Sequence, residues 1–136
     1  MSTTLRDPGD GRSRAGRGSR SHLELGRRGE DLAARYLTDG GLIVLSRNWR
    51  CREGELDIVA TDRSMLVVCE VKTRSGRRFG EPAEAVTEDK QARIRRITSR
   101  WLSEFQVSWC PIRFDVLSVD CPPVGEPTIR HIPGAF

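Results

Sequence analysis

Two carboxylates and a lysine, Asp57, Glu70 and Lys72, fall in neighbouring segments rich in β-branched residues, ELDIVAT (55–61) and MLVVCEVK (65–72). Such segments read as the two strands of a hairpin. A two-residue turn at Arg63 and Ser64 would set Asp62 opposite Met65, Asp57 opposite Glu70 and Glu55 opposite Lys72. Opposed residues share a face of the sheet, with Cβ atoms about 4.5–5.5 Å apart. One face then carries Glu55, Asp57, Glu70 and Lys72; the other carries Leu56, Ile58, Ala60, Val67, Cys69 and Val71. At about 5 Å and an effective dielectric of roughly 20, two carboxylates repel by about 3 kcal/mol. Lys72 and Arg74 can offset that repulsion, and a divalent cation offsets it better. One or two carboxylates with waters completing an octahedron is the donor set Mg²⁺ takes. Such an ion polarises a phosphoryl oxygen and acidifies a water, while a neighbouring lysine orients that water or stabilises developing charge. The same residues also fit a solvated ladder in which Glu55 pairs with Lys72 while Asp57 and Glu70 are simply hydrated. A one-residue slip of the hairpin would separate Asp57 from Glu70 altogether.

The elements that must position these groups follow from periodicity. Ser21 can cap a helix, with Glu24 three residues on, and the pattern runs to about Thr38 before Gly40 and Gly41. Gly26, Gly29, Ala33 and Leu37 give this helix a small-residue face suited to close packing on a sheet, and Glu30 rides beside it. LIVLSRNW (42–49) is a strand preceding the hairpin, and 73–86 reads as loop. Thr87 caps a second helix with Glu88 and Asp89 in its first turn, where negative charge suits the helix dipole. Ile94, Ile97, Trp101, Leu102 and Phe105 form its apolar stripe, and Lys90 stands at its mouth. IRFDVLSV (112–119) and TIRHI (128–132) are strands. The order α-β-β-β-α-β-β predicts an α/β or α+β domain: a central mixed β-sheet flanked by helices.

Composition sets the outer limits. The 136 residues suffice for one compact domain, expected over 21–136 after a disordered Arg/Gly-rich arm at 1–20. The arm carries five arginines against two aspartates, and the remaining residues hold 18 basic and 17 acidic side chains, so the net charge of +4 describes mainly the arm. Bulk charge is thus a weak pointer to nucleic acid. Of the 23 basic residues only Lys72 and Lys90 are lysines. Lysine, unlike arginine, is a compact charge suited to proton chemistry. Cys51, Cys69, Cys110 and Cys121 lack metal-ligand spacing, and no apolar stretch is long enough to span a bilayer. The expectation is a cytoplasmic protein with reduced thiols.

Asp57 with Glu70-Val71-Lys72 resembles the D…(D/E)-x-K signature of the PD-(D/E)XK nuclease superfamily. The surrounding residues are more specific: Gly26 to Glu30, Ala33, Tyr36-Leu37, Gly41, Asn48, Arg50, Gly54 to Asp57, Arg74, Phe79-Gly80, Lys90 and Arg113 to Val116. Over about residues 23–119 these resemble the bacterial YraN family of predicted endonucleases. The resemblance implies a restriction-endonuclease-like core, similar to that of archaeal Holliday-junction resolvases. It implies that Asp57 and Glu70 hold Mg²⁺ or Mn²⁺ with the Val71 carbonyl, and that Glu30 reaches the site directly or through water. Lys72 would activate the attacking water, and Lys90 and Arg74 would face substrate phosphate. The implied activity is metal-dependent hydrolysis of DNA, branched or single-stranded, by an enzyme without a membrane partner; junction-cutting relatives by fold work as homodimers. The alternative is a non-catalytic nucleic-acid- or partner-binding module on the same fold.

Overall fold

The computed structural model describes residues 17–76 and 86–136. The chain forms α1 (Arg17–Asp39), β1 (Ile43–Cys51), β2 (Gly54–Thr61), β3 (Leu66–Arg74), α2 (Glu88–Glu104), β4 (Ile112–Asp120) and β5 (Thr128–Ile132). This is the predicted order of elements. The strands make one sheet in sequence order, β1-β2-β3-β4-β5, antiparallel throughout except for the parallel β3–β4 pair. A parallel pair cannot be closed by a tight turn, and α2 lies within the β3–β4 crossover.

The sheet is covered on both faces because both faces are apolar. On one, Leu32, Ala33 and Leu37 of α1 pack against Ile58, Ala60, Val67, Cys69, Leu117 and Val119. On the other, Ile94, Ile97 and Trp101 of α2 pack against Leu56, Val59, Leu66, Val68 and Phe114. Each fully buried aliphatic side chain contributes about 1.5–3 kcal/mol. Thr87 caps α2 as expected, its hydroxyl accepting from the Lys90 N–H at 3.2 Å. Phe105, at the end of the expected stripe, is exposed instead because α2 ends one residue before it.

Three sequence expectations change. First, α1 begins at Arg17, inside the stretch assigned to the arm, so Ser21 lies within the helix and does not start it. Arginine is a good helix former, and continued backbone hydrogen bonding wins over a local capping signal. Second, β3 runs to Arg74, into the segment read as loop, because its last residues remain paired with β4 up to Arg74–Asp120. Phe79 and Gly80 lie outside the described residues. Third, Leu56 does not share a face with Ile58 and Ala60; it packs under α2 and they pack under α1. The β1–β2 register sets Arg47 opposite Ile58 and Trp49 opposite Leu56, bracketing Asn48 and Asp57. At that level Asn48 adopts φ 51°, a left-handed conformation that asparagine tolerates better than most residues. The two-residue alternation of β2 breaks between Leu56 and Ile58, at the level of this residue.

Candidate active site

The hairpin register is the one the turn predicted. Thr61 pairs with Leu66, Ala60 with Val67, Val59 with Val68 and Ile58 with Cys69. The ladder then stops. Below Ile58, β2 stays paired with β1, and beyond Cys69, β3 stays paired with β4, so the two strands part. Asp57 sits at the fork, and its Oδ2 accepts the Val71 N–H at 2.8 Å. A side chain thus caps a backbone donor that the interrupted ladder leaves without its strand partner.

Elements from both faces converge on this fork. Glu70, with 13% of its side chain exposed, receives the Lys90 Nζ at 2.7 Å from the first turn of α2. Lys72 lies two residues along β3 from Glu70, half-buried, with no ion pair among the described residues. From the α1 side comes Glu30, buried, its Oε1 accepting Asn48 Nδ2 at 2.6 Å, with Arg47 at 3.7 Å. Arg47 also binds Asp31. The close approach of α1 to β3 depends on Gly29: a Cβ there would stand 2.0 Å from the Thr73 hydroxyl oxygen. Only a residue without a side chain lets the helix sit low enough for Glu30 to reach the fork.

The electrostatics follow from this packing. Burial, reinforced by Glu70 and then by Glu30 and Glu55, pushes Asp57 up to about 7, against the lowering influence of the Val71 N–H. Burial also raises Glu30, opposed by the Asn48 hydrogen bond and Arg47. A buried carboxyl that holds its proton near neutrality beside other carboxylates, as Asp57 does, is a donor suited to a hard cation. Among the described residues no three acidic, His or Cys side chains stand close enough to form a metal cage. What fits is an open site, with two carboxylates from the protein and the remaining positions filled by water or substrate oxygen.

The sequence-derived site residues are therefore partly assembled. Asp57, Glu70, Glu30 and Lys90 meet at the fork, and Lys72 borders it. Glu55 does not oppose Lys72; it is exposed and pairs with Arg50 at 3.2 Å, because β2 follows β1 there. Arg74 ends β3, where its carbonyl accepts the Cys121 N–H. Trp49 borders the α2-side core, and Trp101 is buried in it, its indole N–H donating to Ser46. All four cysteines are free thiols. The structure adds a role for Asn48, which takes a left-handed backbone conformation within β1 and holds Glu30. A sequence signal for it existed, since asparagine inside a strand segment favours a left-handed backbone position.

Residues 29–119 match Uncharacterised protein family UPF0102. The chain belongs to this family. A UPF0102 protein of Frankia alni is 57% identical over 112 residues, covering 82% of this chain and 93% of the relative. UPF0102 proteins of Nocardia farcinica and Rhodococcus opacus are 52% and 49% identical, over 82% and 85% of this chain and 88% and 98% of their own. The matched span runs from Gly29 to Val119 in β4, so it contains Glu30, Asn48, Asp57, Glu70, Lys72 and Lys90. Members of UPF0102 thus share the segment that builds the fork. No helix among the described residues is long and apolar enough to cross a membrane.

Proposed function

We propose that this UPF0102 protein is a metal-dependent nuclease of the PD-(D/E)XK type, hydrolysing phosphodiester bonds of DNA at the β2–β3 fork. The observation that carries the reading is the clustering of Asp57 and Glu70 where the strands part, with Glu30 and Lys90 beside them and Lys72 two residues along β3 from Glu70. A buried acidic pair has no use in simply holding a polyanion, because it repels phosphate. It has a use in holding Mg²⁺ or Mn²⁺, which when bound polarises the phosphoryl oxygen and supplies an acidified water.

In this reading Asp57 and Glu70 hold the ion, with the Val71 carbonyl close by on the strand. The Val71 N–H fixes the Asp57 carboxylate from behind and leaves its other oxygen free to ligate. Glu30, oriented by Asn48, binds or orients a water on the α1 side. Lys72 steers the attacking water and stabilises charge developing on the phosphate. Lys90 neutralises Glu70 in the protein as it stands and would face substrate phosphate in a complex that holds the ion. Arg74, at the end of β3, would face substrate phosphate. The site works in the cytoplasm, and cutting both strands of a duplex or junction calls for two copies of the chain.

The Lys90–Glu70 ion pair also favours a second reading, a non-catalytic nucleic-acid-binding module in which the lysine takes the place of the metal. Calorimetric titration of Mn²⁺ into wild type and Glu70→Ala separates the two. Binding that disappears in the variant, with Mn²⁺-dependent cleavage of branched, flapped or single-stranded DNA, supports the nuclease. DNA binding by wild type with neither metal uptake nor cleavage supports the module.

A further inference from the structure

On the α1 face, away from the fork, a second polar assembly lies outside the proposed reaction. Asp115 of β4 is fully buried, yet it is ionised, held below the usual carboxylate range. Burial alone would raise it, but Arg113, the Gly134 N–H and His131 together outweigh that cost. Arg113 donates to both carboxylate oxygens at 2.8 Å, Gly134 N–H to one at 2.9 Å, and His131 Nε2 stands 2.7 Å from the other. His131 Nδ1 in turn lies 3.1 Å from the Tyr36 hydroxyl, the two rings edge-on at 5.5 Å. Burying a carboxylate for stability alone is poor economy, since apolar residues of similar volume do as well or better. Its effect here is to lock three side chains of β4, β5 and α1 in fixed orientations.

Those side chains line a cavity of about 790 Å³ between α1, the start of β4 and β5. That volume lies in the range of about 300–1,000 Å³ typical of small-molecule sites. The lining supplies three kinds of contact. Leu32, Leu37 and Ile129 give an apolar wall, and Tyr36, 38% exposed, offers an aromatic surface beside it. Arg113 spends Nε and one Nη2 hydrogen on Asp115, leaving three N–H donors of its fork. Arg35 and Asp39, one turn apart on α1, both border the cavity and form no ion pair with each other, so each charge remains available to a ligand.

We propose that this cavity binds a nucleoside 5′-monophosphate. The phosphate would meet Arg35 and the free side of Arg113, the planar base would lie between Tyr36 and the aliphatic wall, and donor groups of base or sugar would meet Asp39. Inorganic phosphate lacks the flat body. A fatty acid or aryl carboxylate lacks donors for Asp39. The inference does not rest on the nuclease reading, because none of these residues belongs to the fork.

The test is calorimetric titration of deoxyadenosine 5′-monophosphate into the full chain in EDTA, with inorganic phosphate and deoxyadenosine as separate probes. Arg35→Ala removes the rim cation, and Thr128→Trp fills the cavity mouth from an exposed strand position. Saturable one-to-one binding is expected, weakened at least about tenfold in both variants (one lost phosphate contact of ordinary strength) and unchanged in Glu70→Ala. Nucleotide-dependent shifts of the His131 ring signals in nuclear magnetic resonance would place the ligand without any substitution. Absence of saturable binding, wild-type affinity in Thr128→Trp, or inorganic phosphate binding as tightly as the nucleotide overturns the proposal.

Discussion

Replacing Asp57 by Asn tests the electrostatics of the fork directly. In the metal-free protein the Asp57 carboxyl rises from its ordinary 3.8 to about 7, through burial first and Glu70 second. The folded state therefore binds a proton more tightly than the unfolded chain. The associated stability is fully present below about pH 4 and is lost as pH rises toward and through about 7. At about 1.4 kcal/mol for each pH unit, the ceiling over the whole range is about 4 kcal/mol, and about 3 kcal/mol of it falls between about pH 5 and pH 8. Asn keeps the shape and an oxygen for the Val71 N–H but never ionises. In EDTA, Asp57→Asn should therefore gain up to about 3 kcal/mol on wild type between about pH 5 and pH 8, read from urea unfolding at each pH. Mg²⁺ should close most of that gap at the higher pH: at about one hundred times its dissociation constant it stabilises a protein that binds it by about 2.7 kcal/mol, and the variant should gain little. An unchanged difference between the two pH values would refute the raised Asp57 carboxyl that burial and Glu70 are held to produce. Equal stabilisation of both proteins by Mg²⁺ would refute its role as a ligand.

Lys72→Ala and Glu70→Ala should each reduce Mn²⁺-dependent DNA cleavage by roughly 10²–10⁴-fold with unfolding midpoints little changed, measured on end-labelled branched and single-stranded substrates; cleavage at the wild-type rate would remove these residues from the mechanism. Gly29→Ala places a methyl carbon 2.0 Å from the Thr73 hydroxyl oxygen. It should destabilise the protein by about 1–3 kcal/mol, and Thr73→Gly in the same chain should recover much of that loss; an unshifted denaturation midpoint in Gly29→Ala would show that the helix does not depend on this approach. Asn48→Ala loses both its hydrogen bond to Glu30 and a residue tolerant of φ 51°, so a loss of about 1–2 kcal/mol is expected in thermal unfolding. Asp115→Ala leaves Arg113 and the Gly134 N–H without their acceptor and should cost about 1–3 kcal/mol, with a cost near zero contradicting the locked arrangement.

The sequence by itself determined much of this molecule. The order of its seven elements, the Thr87 cap and the core residues of α2 follow from periodicity and capping chemistry, which act between residues a few positions apart. The hairpin register was also legible, because a two-residue turn and the alternation of apolar residues leave little freedom. The acidic pair could therefore be placed on facing strands before any fold was known. Two things needed the tertiary structure. The exchange of Leu56 to the α2 face lies opposite Asn48, which takes a left-handed backbone conformation, and no pattern within β2 alone records a partner's backbone. The partners of the charges likewise belong to the packed state: Glu55 with Arg50, Glu70 with Lys90, and Asp115 with Arg113 and His131. Ion pairing is decided by which side chains three-dimensional packing brings within about 4 Å, and helix-to-strand approaches such as Gly29 on Thr73 set those distances. His131 shows the limit most plainly. Its place between Tyr36 and Asp115, residues far apart in the chain, exists only because β5 closes the sheet beside β4 under the end of α1.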